Sequence, residues 1–242
     1  MAQQKLKILA LHGYRQSGPV FKGKTGSFRK IVQKYADFIY ITGPHKVVDE
    51  FGVLEDVESV ETDQYSWWFN RNDVTFKGDR QGGPAIGFGE SLQLIEKAYE
   101  ELGPFDGILG FSQGACFVGL ILYLQNRCCL KTNFKFAIVA AGFCSGSLPH
   151  KDYYDDILTI PSLHIYGTND KIITPEMSEK LANVFEEEKR IEVLHSGGHF
   201  FPASSQQKQQ YIDFMRDMLI SKLEEQELER PGVIITTDNN IN

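Results

Sequence analysis

Six short apolar runs, separated by segments with a helical period, constrain this chain more than any other feature. The runs are LKILALH (Leu6–His12), DFIYITG (Asp37–Gly43), FDGILGF (Phe105–Phe111), KFAIVAAG (Lys135–Gly142), SLHIYGT (Ser162–Thr168) and RIEVLHS (Arg190–Ser196). Runs this short and continuous read as strands buried in a parallel sheet. Between most of them lie SFRKIVQKYA, ESLQLIEKAYEEL, ACFVGLILYLQNR and TPEMSEKLANVFEEE, with apolar residues at three- and four-residue spacing. Thr174 and Pro175 supply the cap and first-turn residues of the last of these. A further amphipathic helix is expected from about Ser204 to Glu225. The alternation predicts an α/β fold, a mainly parallel sheet of about six or more strands with helices on both faces.

A chain of 242 residues can bury a full core without disulfides or metal. One domain over residues 1–225 is expected, interrupted by two insertions. Residues 46–87 are acidic, then aromatic (YSWWF), then glycine-rich, and residues 144–160 form a shorter break. Long connections of this kind are usually functional or disordered. Residues 226–242 read as a mobile tail.

At the end of the third run stands GFSQG, Gly110 to Gly114, followed by a helical pattern. This strand–turn–helix setting is the one that G-x-S-x-G requires. A serine raised at so sharp a turn leaves no room for side chains two residues before or after it, and glycine removes them. The turn lifts the Ser112 hydroxyl above the C-terminal edge of the sheet and aims the Gln113 backbone N–H at a developing oxyanion. A serine needs a base, and the base an orienting acid. In this architecture the order is Ser, Asp or Glu, then His, each partner just past a later strand. Asp170 follows SLHIYGT, and His199 follows RIEVLHS in a Gly-Gly-His loop. His164 lies inside a strand, and His195 sits four residues before the loop tip. His45 and His150 have no matching carboxylate. A second oxyanion donor belongs after the first strand, where LALHGYRQSG assigns it to the Tyr14 backbone N–H. His12 then holds that loop.

The rival motif is Gly18 to Thr25, a match to G-x-x-x-x-G-K-[ST]. A P-loop glycine follows its strand almost directly, whereas HGYRQS intervenes here, and no strand ends in an acid placed for Mg²⁺. Gly23–Gly26 reads more simply as a surface loop. A nucleotide-binding protein is therefore the weaker alternative, and a non-catalytic binding protein on the same fold a third.

A net charge of −7 with no dense Lys/Arg cluster argues against nucleic-acid partners. Cys116, Cys128, Cys129 and Cys144 form no CxxC or zinc spacing. Cys128 and Cys129 are expected as buried thiols at a helix end, in a reducing compartment. No apolar stretch reaches membrane-spanning length, and no signal peptide is apparent. The expected location is the cytoplasm, with the nucleus open by size. A homodimer is compatible with the chain.

Taken together, LHGYRQSG, YSWWF, GFSQGA, YGTND and SGGHFFP, over about residues 5–220, resemble the fungal family of serine hydrolases. That group lies in the α/β-hydrolase superfamily and is related to an ovarian-tumour-associated hydrolase. GFSQG is also similar to the acyl-protein thioesterase and carboxylesterase group. The resemblance implies the α/β-hydrolase fold, with nucleophile Ser112, acid Asp170 and base His199. It further implies ester or thioester hydrolysis on a small acyl substrate, without a cofactor or metal. Trp67, Trp68 and Phe69 are candidates for lining an acyl pocket, or for packing the insertion onto the sheet. Arg15 and Arg71 are not assigned.

Overall fold

A computed structural model describes residues 4–48 and 64–229. Six strands form one parallel sheet: β1 (Leu6–Leu11), β2 (Ala36–Ile41), β5 (Gly107–Phe111), β6 (Phe136–Ala140), β7 (Ser162–Gly167) and β8 (Arg190–His195). Their order is β2-β1-β5-β6-β7-β8. Each sequence run supplies one of them. Two further strands, β3 (His45–Lys46) and β4 (Tyr65–Ser66), pair as a small antiparallel ladder at the two ends of the acidic stretch. The acidic part of the first insertion lies within residues 49–63, outside the described residues.

Both faces of the sheet are covered, and the strand residues alternate between the two cores. Leu9, Leu11, Ile108, Ala137 and Val139 pack with α3 (Phe88–Leu102), α4 (Gln113–Asn126) and α5 (Pro175–Ala182). Ile8, Ala10, Leu109, Phe136 and Ile138 face the other way. There they meet α1 (Gly18–Lys24), α2 (Gly26–Val32) and α6 (Ser205–Leu228). Ser204 caps α6 through a capping box with Gln207, which fixes where that helix starts. The helix continues three residues beyond its expected end, and residues 230–242 of the predicted tail lie outside the described residues.

Two expectations are corrected. Gly23–Gly26 is not a surface loop: Gly23 and Lys24 end helix α1, Gly26 opens α2, and the rival P-loop match falls on α1, which is capped by the Ser17 side chain and opened by a proline in its first turn. Phe21 is fully buried and packs on Phe111 and Tyr40. The Thr25 hydroxyl is committed to Phe21 O at 2.9 Å and to Tyr40 Oη at 2.6 Å, so it has no role in holding Mg²⁺. Cys128 and Cys129 are exposed, not buried. Cys128 adopts φ +54° where α4 ends, and the turn carries both thiols off the apolar face.

The direction in which strands are added to the sheet reverses between β1 and β5. After β1 the chain adds β2 on one side, and every later strand is added on the other. Such a switch point opens a crevice at the carboxyl ends of the two central strands. Leu11 is paired with Gly110 there, so the loop after β1 and the turn after β5 lie side by side.

Candidate active site

Ser112 occupies the turn between β5 and α4 with φ +54° and ψ −116°. A serine held in this region stores about 1–3 kcal/mol of backbone strain, so the surroundings must enforce it. A Cβ on Gly114 would lie 2.5 Å from His12 O, and one on Gly110 would lie 2.5 Å from the carbonyl carbon of Gly114. Only glycine fits at either position. The Ser112 backbone N–H donates to Ala140 O at 2.9 Å, pinning the turn to β6.

The three residues chosen from spacing converge. His199 Nε2 lies 3.0 Å from Ser112 Oγ, and His199 Nδ1 lies 2.7 Å from Asp170 Oδ2. The Asp170 side chain is fully buried. Its other oxygen accepts from the backbone N–H groups of Ile172 (2.9 Å) and Ile173 (3.0 Å). Both carboxylate oxygens are thus engaged, which fixes the plane of the group against the imidazole. The His199 ring also packs on Phe111, 4.9 Å between centroids.

The other histidines are occupied elsewhere. His12 Nε2 accepts from Gly43 N at 2.9 Å while Nδ1 faces Gly13 O at 2.8 Å. That pairing assigns the proton to Nδ1 and makes His12 the brace of the loop after β1, as expected. His164 is buried against Ser162 Oγ at 3.0 Å, and burial, with Arg190 adding to it, brings its pKa down to about 3. His195 is buried, and its Nδ1 faces Gly197 N at 3.2 Å. Burial lowers its pKa too, against a smaller opposing pull from Asp170. His150 is buried beside Phe88, with Nδ1 2.8 Å from Ser145 Oγ, and burial lowers its pKa to about 4.

Trp67 and Trp68 are fully buried in the core on the α4 side, and Phe69 is nearly so. None of the three lines the cavity at Ser112, which corrects the pocket-lining assignment for these rings. They pack instead: Trp67 and Trp68 both lie against Phe117 on α4 in tilted ring contacts. Their segment is also stitched to the site by polar bonds. Gln113 Oε1 accepts from Trp67 N at 3.0 Å, and Gln113 Nε2 donates to Trp68 O at 2.7 Å. Trp67 Nε1 donates to His12 O at 2.8 Å. On the other side of the same loop, Tyr65 exchanges backbone bonds with Arg15 (3.0 Å) and Gln16 (2.9 Å). The sequence reading missed this use of the Gln113 side chain. No local signal marked it, because its partners lie about 45 residues earlier in the chain and meet it only through tertiary docking.

The cavity at Ser112 has a volume of about 430 Å³, within the usual range for a small-molecule site. Ser112 and His199 line it together with Gly13 and Tyr14, and four phenylalanines, Phe21, Phe111, Phe200 and Phe201, supply much of the remaining lining. Arg71 pairs with Asp73 at 3.0 Å, and neither Arg71 nor Arg15 lines the cavity. Among the described residues no cluster of three or more His, Cys, Asp or Glu is arranged to hold a metal ion, and no helix is long and apolar enough to cross a membrane.

The strand order and the elbow at Ser112 define an α/β-hydrolase fold. Among solved structures, Zea mays acyl-protein thioesterase 2 superposes with a TM-score of 0.60 at 16% identity, covering 90% of this chain and 95% of that one. Residues 1–211 match the family "Serine hydrolase (FSH1)". Esterase CG5412 of Drosophila melanogaster is 51% identical over 95% of this chain and 80% of its own length. Esterase OVCA2 of Danio rerio is 39% identical over 89% of this chain and 99% of its own. The chain belongs to the serine hydrolase (FSH1) family and is a hydrolase. These relatives are animal proteins, so the fungal label of the resemblance does not carry over.

Proposed function

We propose that the protein hydrolyses carboxylic esters or thioesters of acyl chains through a Ser112–His199–Asp170 triad and an acyl-enzyme. The observation that carries this reading is the unbroken chain from Ser112 Oγ through both ring nitrogens of His199 to Asp170, at 3.0 and 2.7 Å. His199 Nε2 takes the hydroxyl proton as Ser112 Oγ bonds to the carbonyl carbon. Asp170 holds the ring with Nδ1–H toward itself and stabilises the imidazolium. The backbone N–H groups of Tyr14 and Gln113 receive the oxyanion. Gln113 is the first residue of α4, where N–H groups have no intrahelical acceptor, and Tyr14 borders the same cavity. His199 then protonates the leaving alcohol or thiol. A water deprotonated by His199 attacks the acyl-enzyme, and the acid departs as Ser112 regains its proton.

The esterase relatives support ester chemistry, and the phenylalanine walls support an acyl substrate. One domain carries the whole activity, since the site draws on the loops after β1, β5, β7 and β8. A cytoplasmic setting fits four free cysteines. The test is hydrolysis of a neutral p-nitrophenyl ester. Ser112→Ala and His199→Ala are each expected to lower kcat by at least ~1,000-fold with folding intact. Activity retained within tenfold in the serine variant would refute the assignment.

A further inference from the structure

The walls of the active-site cavity are not wholly apolar. Gln16, in the loop after β1, lines it although the residue is 8% exposed. Its backbone is fixed at both ends, N–H to Gly13 O at 3.2 Å and carbonyl to Tyr65 N at 2.9 Å, so the side chain has a set origin. Its Oε1 is buried with no hydrogen-bond partner among the described residues. A buried amide oxygen without a partner is rare in a folded protein, and the polar atom this side chain turns toward the reaction centre is the Nε2 donor. The amide borders the reaction centre. A Cβ built on Gly13 would lie 3.3 Å from Ser112 Cβ and 3.4 Å from Gln16 Nε2. Glycine keeps open the space between the nucleophile and this donor.

The second departure is Lys24, the last residue of α1. Among the described lining residues it is the one side chain with a fixed charge, and no carboxylate lines the cavity with it. A lone ammonium beside an amide donor, in a chain of net charge −7, is the wrong lining for a purely aliphatic acyl group. It is the right lining for an anion.

We propose that Gln16 and Lys24 are specificity-determining residues, and that the favoured substrate carries a carboxylate: a half-ester or half-thioester of a short dicarboxylic acid, or an ester whose alcohol bears the acid. This rests on the hydrolase reading above. Lys24 supplies the charge that draws the carboxylate in. Gln16 Nε2 donates to an oxygen of the bound substrate beside the scissile carbonyl. The phenylalanine walls cover the methylenes between.

The test compares kcat/KM for ethyl hexanoate, monoethyl adipate and an ester of hexanoic acid with 4-hydroxybutyrate. Either acid-bearing ester is expected to exceed the neutral one by about tenfold, and the one preferred shows which half of the substrate meets Lys24. Lys24→Gln should abolish that preference, Lys24→Arg should retain it, and 0.5 M salt should weaken it. Gln16→Glu, which sets a second carboxylate against the first, should reverse it. Lys24 is exposed, so its variants are expected to fold, and melting temperatures verify this. Equal rates for charged and neutral esters in wild type, or a preference unmoved in Lys24→Gln, would overturn the proposal. A protein that hydrolyses none of the three and takes no fluorophosphonate on Ser112 would instead refute the hydrolase reading.

Discussion

Truncating Gln113 to alanine removes a strut between the nucleophile elbow and the tryptophan segment while leaving its backbone N–H in place. The side chain is fully buried. It accepts from Trp67 N (3.0 Å) and donates to Trp68 O (2.7 Å). After truncation Trp68 O keeps the Ser66 hydroxyl at 2.6 Å, but the Trp67 N–H loses its acceptor. One buried donor left unpaired costs about 1–3 kcal/mol, and the space left by the amide adds roughly 1 kcal/mol. The expected loss is therefore about 2–4 kcal/mol, or roughly 5–15 °C in melting temperature for a chain of this size. Thermal unfolding followed by near-UV circular dichroism reads it directly. Gln113→Glu should be at least as damaging, because it turns a second oxygen toward Trp68 O. Alanine melting within about 1 °C of wild type would refute the strut.

Gly114→Ala would drive a Cβ into backbone oxygens of the loop after β1; destabilisation of about 1–3 kcal/mol is expected in urea unfolding, with loss of esterase activity. Trp67→Phe leaves His12 O without its 2.8 Å partner and should cost about 1–3 kcal/mol, read as a fall in melting temperature. His150 and His164 are held neutral by burial, with folded pKa values of about 4 and about 3. Below the unfolded value near 6.5 the unfolded chain binds the extra protons, so stability falls as pH drops from about 6.5 toward 4. The part due to His150 is about 3 kcal/mol, and His150→Gln should flatten the dependence of melting temperature on pH over that range.

The parallel sheet was legible because each of its strands is a continuous apolar run, and a run's length and flanks identify it without tertiary knowledge. Ser112, Asp170 and His199 were legible because the elbow needs glycine on both sides and because chain order restricts the partners. Helix α1 was not, since a seven-residue segment with two glycines has little intrinsic helicity. It is held by Phe21 packing on Phe111 and Tyr40, contacts between distant parts of the chain. The position of Trp67 and Trp68 was undecidable for the same reason, because large rings serve a core or a pocket equally well until the docking of their segment is known. The side-chain bonds of Gln113 and the open amide of Gln16 depend on that docking too.

The most direct test of the central claim is labelling of the folded protein with a fluorophosphonate, followed by mass spectrometry of the modified peptide. Label on Ser112 in wild type, and none in Ser112→Ala or His199→Ala, is the expected result. An unlabelled wild type, or label on a different residue, would contradict the account of Ser112 as a nucleophile activated by His199.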